Sequence, residues 1–210
     1  MKRSVAGLYA ILPADLETTE MLEKAEQVLL GGVRTVQFRD KKSGYKRALK
    51  RALALREVTQ RYQAMLVVND SLQMAQDAGA DGVHLGRNDL ENLPEIRHQA
   101  GANMVVGVTC RADAAFAQMA LQQGADYVAF GAVFGSSTKP EVPTLGLPRL
   151  MKARQMFPHA QLCAIGGITL ENMAAVKATG VNSAALISGL FDADDLQQRA
   201  RDLITLWEQA

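Results

Sequence analysis

Ala78-Gly79-Ala80-Asp81-Gly82-Val83 decides the fold, because the chain repeats it. Gln123-Gly124-Ala125-Asp126-Tyr127-Val128 and Thr179-Gly180-Val181-Asn182-Ser183-Ala184 carry the same pattern, and Gly31-Gly32-Val33 begins a fourth copy. A helical stretch precedes each copy and an apolar run follows it. Glycine after a helix supplies a left-handed C-cap, and the small residues beside it let the chain turn back into a sheet.

Working outward from these turns, strands and helices alternate. Strands are expected at Leu8–Leu12, Thr35–Arg39, Ala64–Val68, Gly82–Leu85, Met104–Val108, Tyr127–Phe130, Leu162–Ile165 and Ser183–Ile187. Helices are expected at Asp15–Leu30, Tyr45–Tyr62, from a cap at Asp70-Ser71 to Ala78, and at Leu90–Ala100, Ala112–Gln122, Pro148–Met156, Leu170–Ala178 and Asp194–Trp207. The strands are continuous apolar runs, as in parallel strands buried on both faces. Eight such units in 210 residues make a compact α/β protein, a single (β/α)8 TIM barrel over residues 1–210. An open doubly wound sheet is the runner-up, disfavoured because no GxGxxG follows the first strand.

Composition narrows the function classes. Hydrophobic residues make up 48%, and 23 Lys and Arg against 22 Asp and Glu leave a net charge of +1. Without a basic excess, nucleic acid is not an expected partner. No run reaches membrane-spanning length, and Met1-Lys2-Arg3-Ser4-Val5-Ala6-Gly7 is too short in apolar length for a signal peptide, so a cytoplasmic protein with no membrane partner is expected. Cys110 and Cys163 lack CxxC spacing and suit a reducing compartment. The oligomeric state stays open, a homo-oligomer included.

In such a barrel the chemistry belongs at the C-terminal strand ends. There the second strand carries Gln37-Phe38-Arg39-Asp40-Lys41. Arg39 and Lys41, two residues apart, lie on one face of an extended chain and suit a phosphate or pyrophosphate; a charged strand end with surface ion pairs is the plainer alternative. Asn69 and Asp70 end the third strand, and Asp89 follows the fourth. Neighbouring strands lie under about 5 Å apart, so the two carboxylates can share one cation. Oxygen ligands beside a phosphate site point to Mg2+; helix capping is the competing reading for each Asp alone. Thr109 and Cys110 end the fifth strand. Ser136, Ser137, Thr138 and Lys139 follow the sixth, offering hydroxyls, N–H groups and an ammonium to phosphate oxygens. Gly166-Gly167 and Ile187-Ser188-Gly189 end the last two strands and fit a phosphate cup. His84 reads as a packed, hydrogen-bonded residue, His98 and His159 as surface residues, and Cys110 as an inert neighbour.

Leu8-Tyr9-Ala10-Ile11, Gln37 to Lys41, Asn69-Asp70, Gly82-Val83-His84-Leu85-Gly86 with Asp89, Gly107-Val108-Thr109, Thr138-Lys139-Pro140, Gly166-Gly167-Ile168 and Ile187-Ser188 together closely resemble the thiamine phosphate synthase family, in order over nearly the whole chain. The resemblance implies coupling of a hydroxymethylpyrimidine diphosphate to a thiazole phosphate, giving thiamine phosphate and pyrophosphate. It also implies that Gln37, Phe38, Arg39, Asp40, Lys41, Asn69, Thr109 and Lys139 contact the pyrimidine diphosphate. Asp70 and Asp89 then hold Mg2+, while Ser136, Ser137, Thr138, Gly167, Ile187 and Ser188 hold the thiazole phosphate. Arg39, Lys41 and Lys139 are the expected catalytic cations. Thr109 stands where the family usually has Ser, Arg111 near a common His, and Ala132 and Gly135 in place of frequent prolines. The alternatives are an aminothiazole tautomerase-type relative, another phosphate-binding barrel, and an inactive barrel that binds thiamine phosphate.

Overall fold

A computed structural model describes residues 4–87, 92–135 and 144–210. Its order is β1 (Gly7–Ile11), α1 (Thr18–Leu30), β2 (Thr35–Phe38), α2 (Tyr45–Arg61), β3 (Met65–Asn69), α3 (Leu72–Asp77), β4 (Gly82–Leu85) and α4 (Leu93–Ala100). It continues with β5 (Val105–Arg111), α5 (Ala114–Gln122), β6 (Tyr127–Gly131), α6 (Leu147–Met156), β7 (Gln161–Ile165), α7 (Met173–Ala178), β8 (Ser183–Leu186), α8 (Ser188–Phe191) and α9 (Leu196–Gln209). The strands pair in parallel in sequence order, and β8 closes on β1. This is the expected (β/α)8 barrel.

The strand period of two sorts the core into two layers. Leu8, Val36, Phe38, Val68, Val83, Val108 and Phe130 point outward and pack under the helices. Tyr9, Ile11, Met65, Val67, Val105, Tyr127 and Cys163 point inward and fill the barrel.

Several helices start later than expected, where a side chain takes an orphan N–H. Asn92, Asp113 and Asp195 accept from the N–H of Glu95, Phe116 and Gln198, while Ser71 of the expected Asp70-Ser71 cap accepts from that of Met74. Asp70 does not cap α3. The sequence reading also has no counterpart of α8.

The repeated turn has a physical role beyond chain reversal. Asp81 donates its N–H to the Leu66 carbonyl at 2.9 Å and accepts the Leu66 N–H on its carboxylate at 2.9 Å. Asp126 grips Val106 in the same way, at 2.7 and 2.8 Å, and Asn182 grips Leu162, at 2.9 and 2.9 Å. Each is in turn held by an arginine from the helix before the gripped strand: Arg56 at 2.6 Å, Arg97 at 2.9 Å and Arg154 at 3.0 Å. Thus the fourth letter of the repeat satisfies a strand N–H that the ladder leaves open. Replacing Asp126 with alanine orphans the Val106 N–H, and stability is expected to drop by about 2 kcal/mol. Urea denaturation measures this, and an unchanged midpoint would refute the role.

Candidate active site at the C-terminal mouth of the barrel

At the strand C-termini a cavity of about 490 Å³ is lined by Arg39, Lys41, Asn69, Asp70, His84, Gly86, Arg87, Thr109, Cys110, Arg111 and Asp113. It brings together Arg39, Lys41, Asn69, Asp70 and Thr109, which the sequence scatters over 71 positions (109 − 39 + 1). A second depression of about 660 Å³ lies between α1 and the start of α9, lined by Glu20, Glu23, Asp194 and Asp195 with a single cation, Lys24. Its charge repels a phosphate.

β2 delivers the two cations. Gln37 faces the barrel interior and donates to the Tyr9 hydroxyl at 2.6 Å. Lys41 lies 3.2 Å from the Asp70 carboxylate, with the two side chains 52% and 36% exposed. Asp70 has a left-handed backbone, φ 66°, and donates its N–H to the His84 carbonyl at 2.8 Å. That bond ties the end of β3 to β4, leaving the carboxylate at the mouth.

Two side chains of the pentapeptide point away from the mouth. Phe38 is 1% exposed and lies in the outer core layer. The Asp40 side chain is 1% exposed and paired with Arg51 of α2. It also accepts the N–H groups of Lys42 at 3.1 Å and Ser43 at 2.9 Å. Burial pushes the Asp40 carboxyl up, but these N–H groups and the guanidinium outweigh it and hold it below the usual carboxylate range. The physical reason is the period of two: if Gln37, Arg39 and Lys41 face the barrel axis, Phe38 and Asp40 face the helices.

β5 carries Thr109 into the mouth, and its register with β6 shifts between Thr109 and Arg111. Arg111, with φ 53°, brings a further cation that the sequence reading did not assign to the site; its spacing of two from Thr109 is the signal that could have found it. Arg87 is committed, paired with Asp113 and stacked 4.1 Å above the Phe116 ring. His84 is 7% exposed and bonded through both ring nitrogens, the packed residue expected. Burial holds it at a pKa of about 4, outweighing the pull of Asp70 in the other direction. Burial also pushes the Cys110 thiol up to about 12, with Asp113 adding to the rise, so the thiolate is scarce and the residue inert.

Near β7 and β8 the backbone is crowded. Gly167 has φ 64°, and a Cβ there would lie 2.4 Å from the Gly135 carbonyl oxygen. Asn172 donates to the Gly167 carbonyl at 2.9 Å and accepts from Thr169 N–H at 2.9 Å, bracing this turn. A Cβ on Gly189 would lie 2.1 Å from the Ile168 carbonyl, so the segment after β8, with Ile187 and Ser188, abuts the β7 turn. Asp89, Ser136, Ser137, Thr138 and Lys139 lie outside the described residues.

Fold and mouth together define the class: a (β/α)8 barrel enzyme suited to an anionic ligand. The comparisons narrow it. Residues 8–190 match the thiamine monophosphate synthase family. The chain is 39% identical over 203 residues to a thiamine-phosphate synthase of Methylobacillus flagellatus, covering 97% of this chain and 96% of that protein. It is 42% identical over 205 residues to the Thioalkalivibrio sulfidiphilus thiamine-phosphate synthase, covering 96% and 95%. Thiamine phosphate pyrophosphorylase from Pyrococcus furiosus superposes with a TM-score of 0.86 at 28% identity, over 97% of this chain and 96% of that one. The chain therefore belongs to the thiamine monophosphate synthase family, and is a transferase of thiamine biosynthesis.

Proposed function

We propose that the chain joins 4-amino-2-methyl-5-hydroxymethylpyrimidine diphosphate to 4-methyl-5-(2-phosphoethyl)thiazole, forming thiamine phosphate and pyrophosphate. The observation that carries this reading is the convergence of Arg39, Lys41, Asn69, Asp70 and Thr109 on one cavity. These are cations, donors and a carboxylate, and the one thiol among the described lining residues, Cys110, is held neutral by burial. Such a mouth suits departure of a diphosphate rather than covalent catalysis.

The step follows from those groups. The bond between the pyrimidine methylene and the diphosphate oxygen breaks, and its electron pair leaves with the oxygen. Arg39, Lys41 and Lys139 meet the charge that builds there. The methylene cation is stabilised by the amino-pyrimidine ring. The thiazole nitrogen, held by its phosphate near Gly167, Ile187, Ser188 and the segment Ser136 to Thr138, then donates its lone pair to that carbon. Gln37 and Asn69 orient the pyrimidine, and the enzyme's contribution is charge stabilisation plus positioning.

The donor set fits Mg2+. Asp70 offers a half-exposed carboxylate at the mouth beside cations suited to a phosphorylated ligand. Among the described residues no group of three or more His, Cys, Asp or Glu gathers. A site with one or two carboxylates plus water and ligand phosphate is what this cation accepts. Asp70 and Asp89 would hold it, and when bound it would neutralise charge on the diphosphate.

A reducing, cytoplasmic setting agrees with two free, buried cysteines and with the lack, among the described residues, of a helix long and apolar enough to cross a membrane. Nothing basic in the overall charge speaks for a nucleic-acid partner.

Mixing both substrates with Mg2+, with and without a chelator, tests the reading. Thiamine phosphate and pyrophosphate should appear in equal amounts, and the chelator should stop both. A binding-only barrel would retain thiamine phosphate and release no pyrophosphate, and that result would sink the proposal.

A further inference from the structure

A hydrogen-bonded chain crosses the inside of the barrel. Gln37 Nε2 donates to the Tyr9 hydroxyl at 2.6 Å, and the Tyr9 and Tyr127 hydroxyls lie 3.2 Å apart. The Tyr127 hydroxyl lies 2.7 Å from His84 Nδ1, and His84 Nε2 lies 2.7 Å from Thr109 Oγ1. The links come from β2, β1, β6, β4 and β5 in turn. Gln37, Tyr9, Tyr127 and His84 are all buried, while Thr109 is half-buried and lines the mouth. Space for the Tyr127 ring is made by Gly107, where a Cβ would lie 2.0 Å from the ring.

The chemistry of the groups gives the chain one direction. An amide nitrogen only donates, so Tyr9 accepts from Gln37, and among the described residues the Tyr127 oxygen is the acceptor within reach of the buried Tyr9 proton. Tyr127 then donates to His84 Nδ1. A neutral imidazole that accepts at Nδ1 carries its proton on Nε2 and donates it to Thr109 Oγ1. Burial keeps the two phenols uncharged, as this direction requires. A threonine hydroxyl that already accepts from His84 has its own proton left to give.

We propose that Tyr9, Tyr127 and His84 are positioning residues, whose one-way chain turns the Thr109 hydroxyl proton into the mouth as a donor to a diphosphate oxygen. This rests on the pyrimidine diphosphate reading above. At its other end the same chain commits the Gln37 amide nitrogen to Tyr9 and leaves the amide oxygen for a donor such as the pyrimidine 4-amino group. A merely space-filling network needs no such direction.

Two measurements decide it. Nitrogen-15 NMR of the whole protein near neutral pH should find the His84 proton on Nε2; a proton on Nδ1 would overturn the proposal, whatever the enzyme does with substrate. In kinetics, Tyr127→Phe frees the histidine tautomer and is expected to lower kcat/KM for the pyrimidine diphosphate about tenfold. The loss should persist in a Thr109→Ser background, which keeps the hydroxyl, and vanish in Thr109→Val, which lacks it. A further tenfold loss in Thr109→Val would mean that Tyr127 acts only on the packing of the barrel, and the proposal would fall. If the unchanged enzyme formed no thiamine phosphate, the reaction assignment would fail while the tautomer still tested the chain.

Discussion

Replacing Arg39 with alanine should lower kcat by about 10²–10³-fold, the loss typical of one preorganised charge-stabilising group. The melting temperature should stay nearly the same. Among the described residues several charges beside it are already engaged: Lys41 faces Asp70, Asp40 is paired with Arg51, and Arg87 with Asp113. No carboxylate among the described residues pairs with Arg39, which lines the mouth half-buried. A cation in that position contributes little to the fold and can act on charge that develops in the mouth. Its removal should thus separate turnover from stability. Arg39→Lys should recover part of the rate, since it keeps the charge but loses the two-pronged geometry. The check is a steady-state assay with both substrates beside a thermal melt. Turnover near that of the unchanged enzyme would remove Arg39 from the chemistry, and a large fall in melting temperature would make it a structural residue instead.

The barrel was legible because each unit repeats one physical problem, a helix that must end and a strand that must begin. The glycines of the repeat signalled the turn. The acid or amide two residues after them carries no local sign of its role, yet Asp81, Asp126 and Asn182 each close two hydrogen bonds on the preceding strand. Their partners are 15 to 20 residues away, and a pattern of local propensities does not contain that distance. The charged strand end was legible too, but as five letters rather than as two faces. Applying the strand period to every residue, rather than to Arg39 and Lys41 alone, sends Phe38 and Asp40 to the helix layer. The interior chain from Gln37 to Thr109 was beyond reading for another reason. It joins five strands across the barrel, and nothing in the neighbourhood of Tyr9 or Tyr127 marks them as partners. Helix α8 is four residues long, below the length at which periodicity carries a signal.

The largest stability effect should come from Asp40→Ala, at about 3–5 kcal/mol, the range found when one partner of a buried ion pair is removed. Arg51 is 6% exposed. One guanidinium nitrogen meets Asp40, and another donates to the Leu16 carbonyl at 2.6 Å. Its Nε has no partner among the described residues. Without Asp40 the charge would stay buried and uncompensated, and the N–H groups of Lys42 and Ser43 would lose their acceptor. Because Arg51 joins the segments after β1 and β2, the loosened strand end is the one that presents Arg39 and Lys41. Affinity for the pyrimidine diphosphate should therefore fall together with stability, although Asp40 itself never reaches the mouth. The double replacement Asp40→Leu with Arg51→Met separates the two effects. Removing both charges leaves no unpaired ion, so much of the stability should return. The N–H groups of Lys42 and Ser43 would still lack their acceptor, so the loop stays loose and weak binding should persist. Urea denaturation and titration with the pyrimidine diphosphate read the two quantities independently. An Asp40→Ala variant with an unchanged unfolding midpoint would show that the pair carries no weight in the fold. Full binding in the double variant would show that Arg39 and Lys41 are held by something other than this carboxylate.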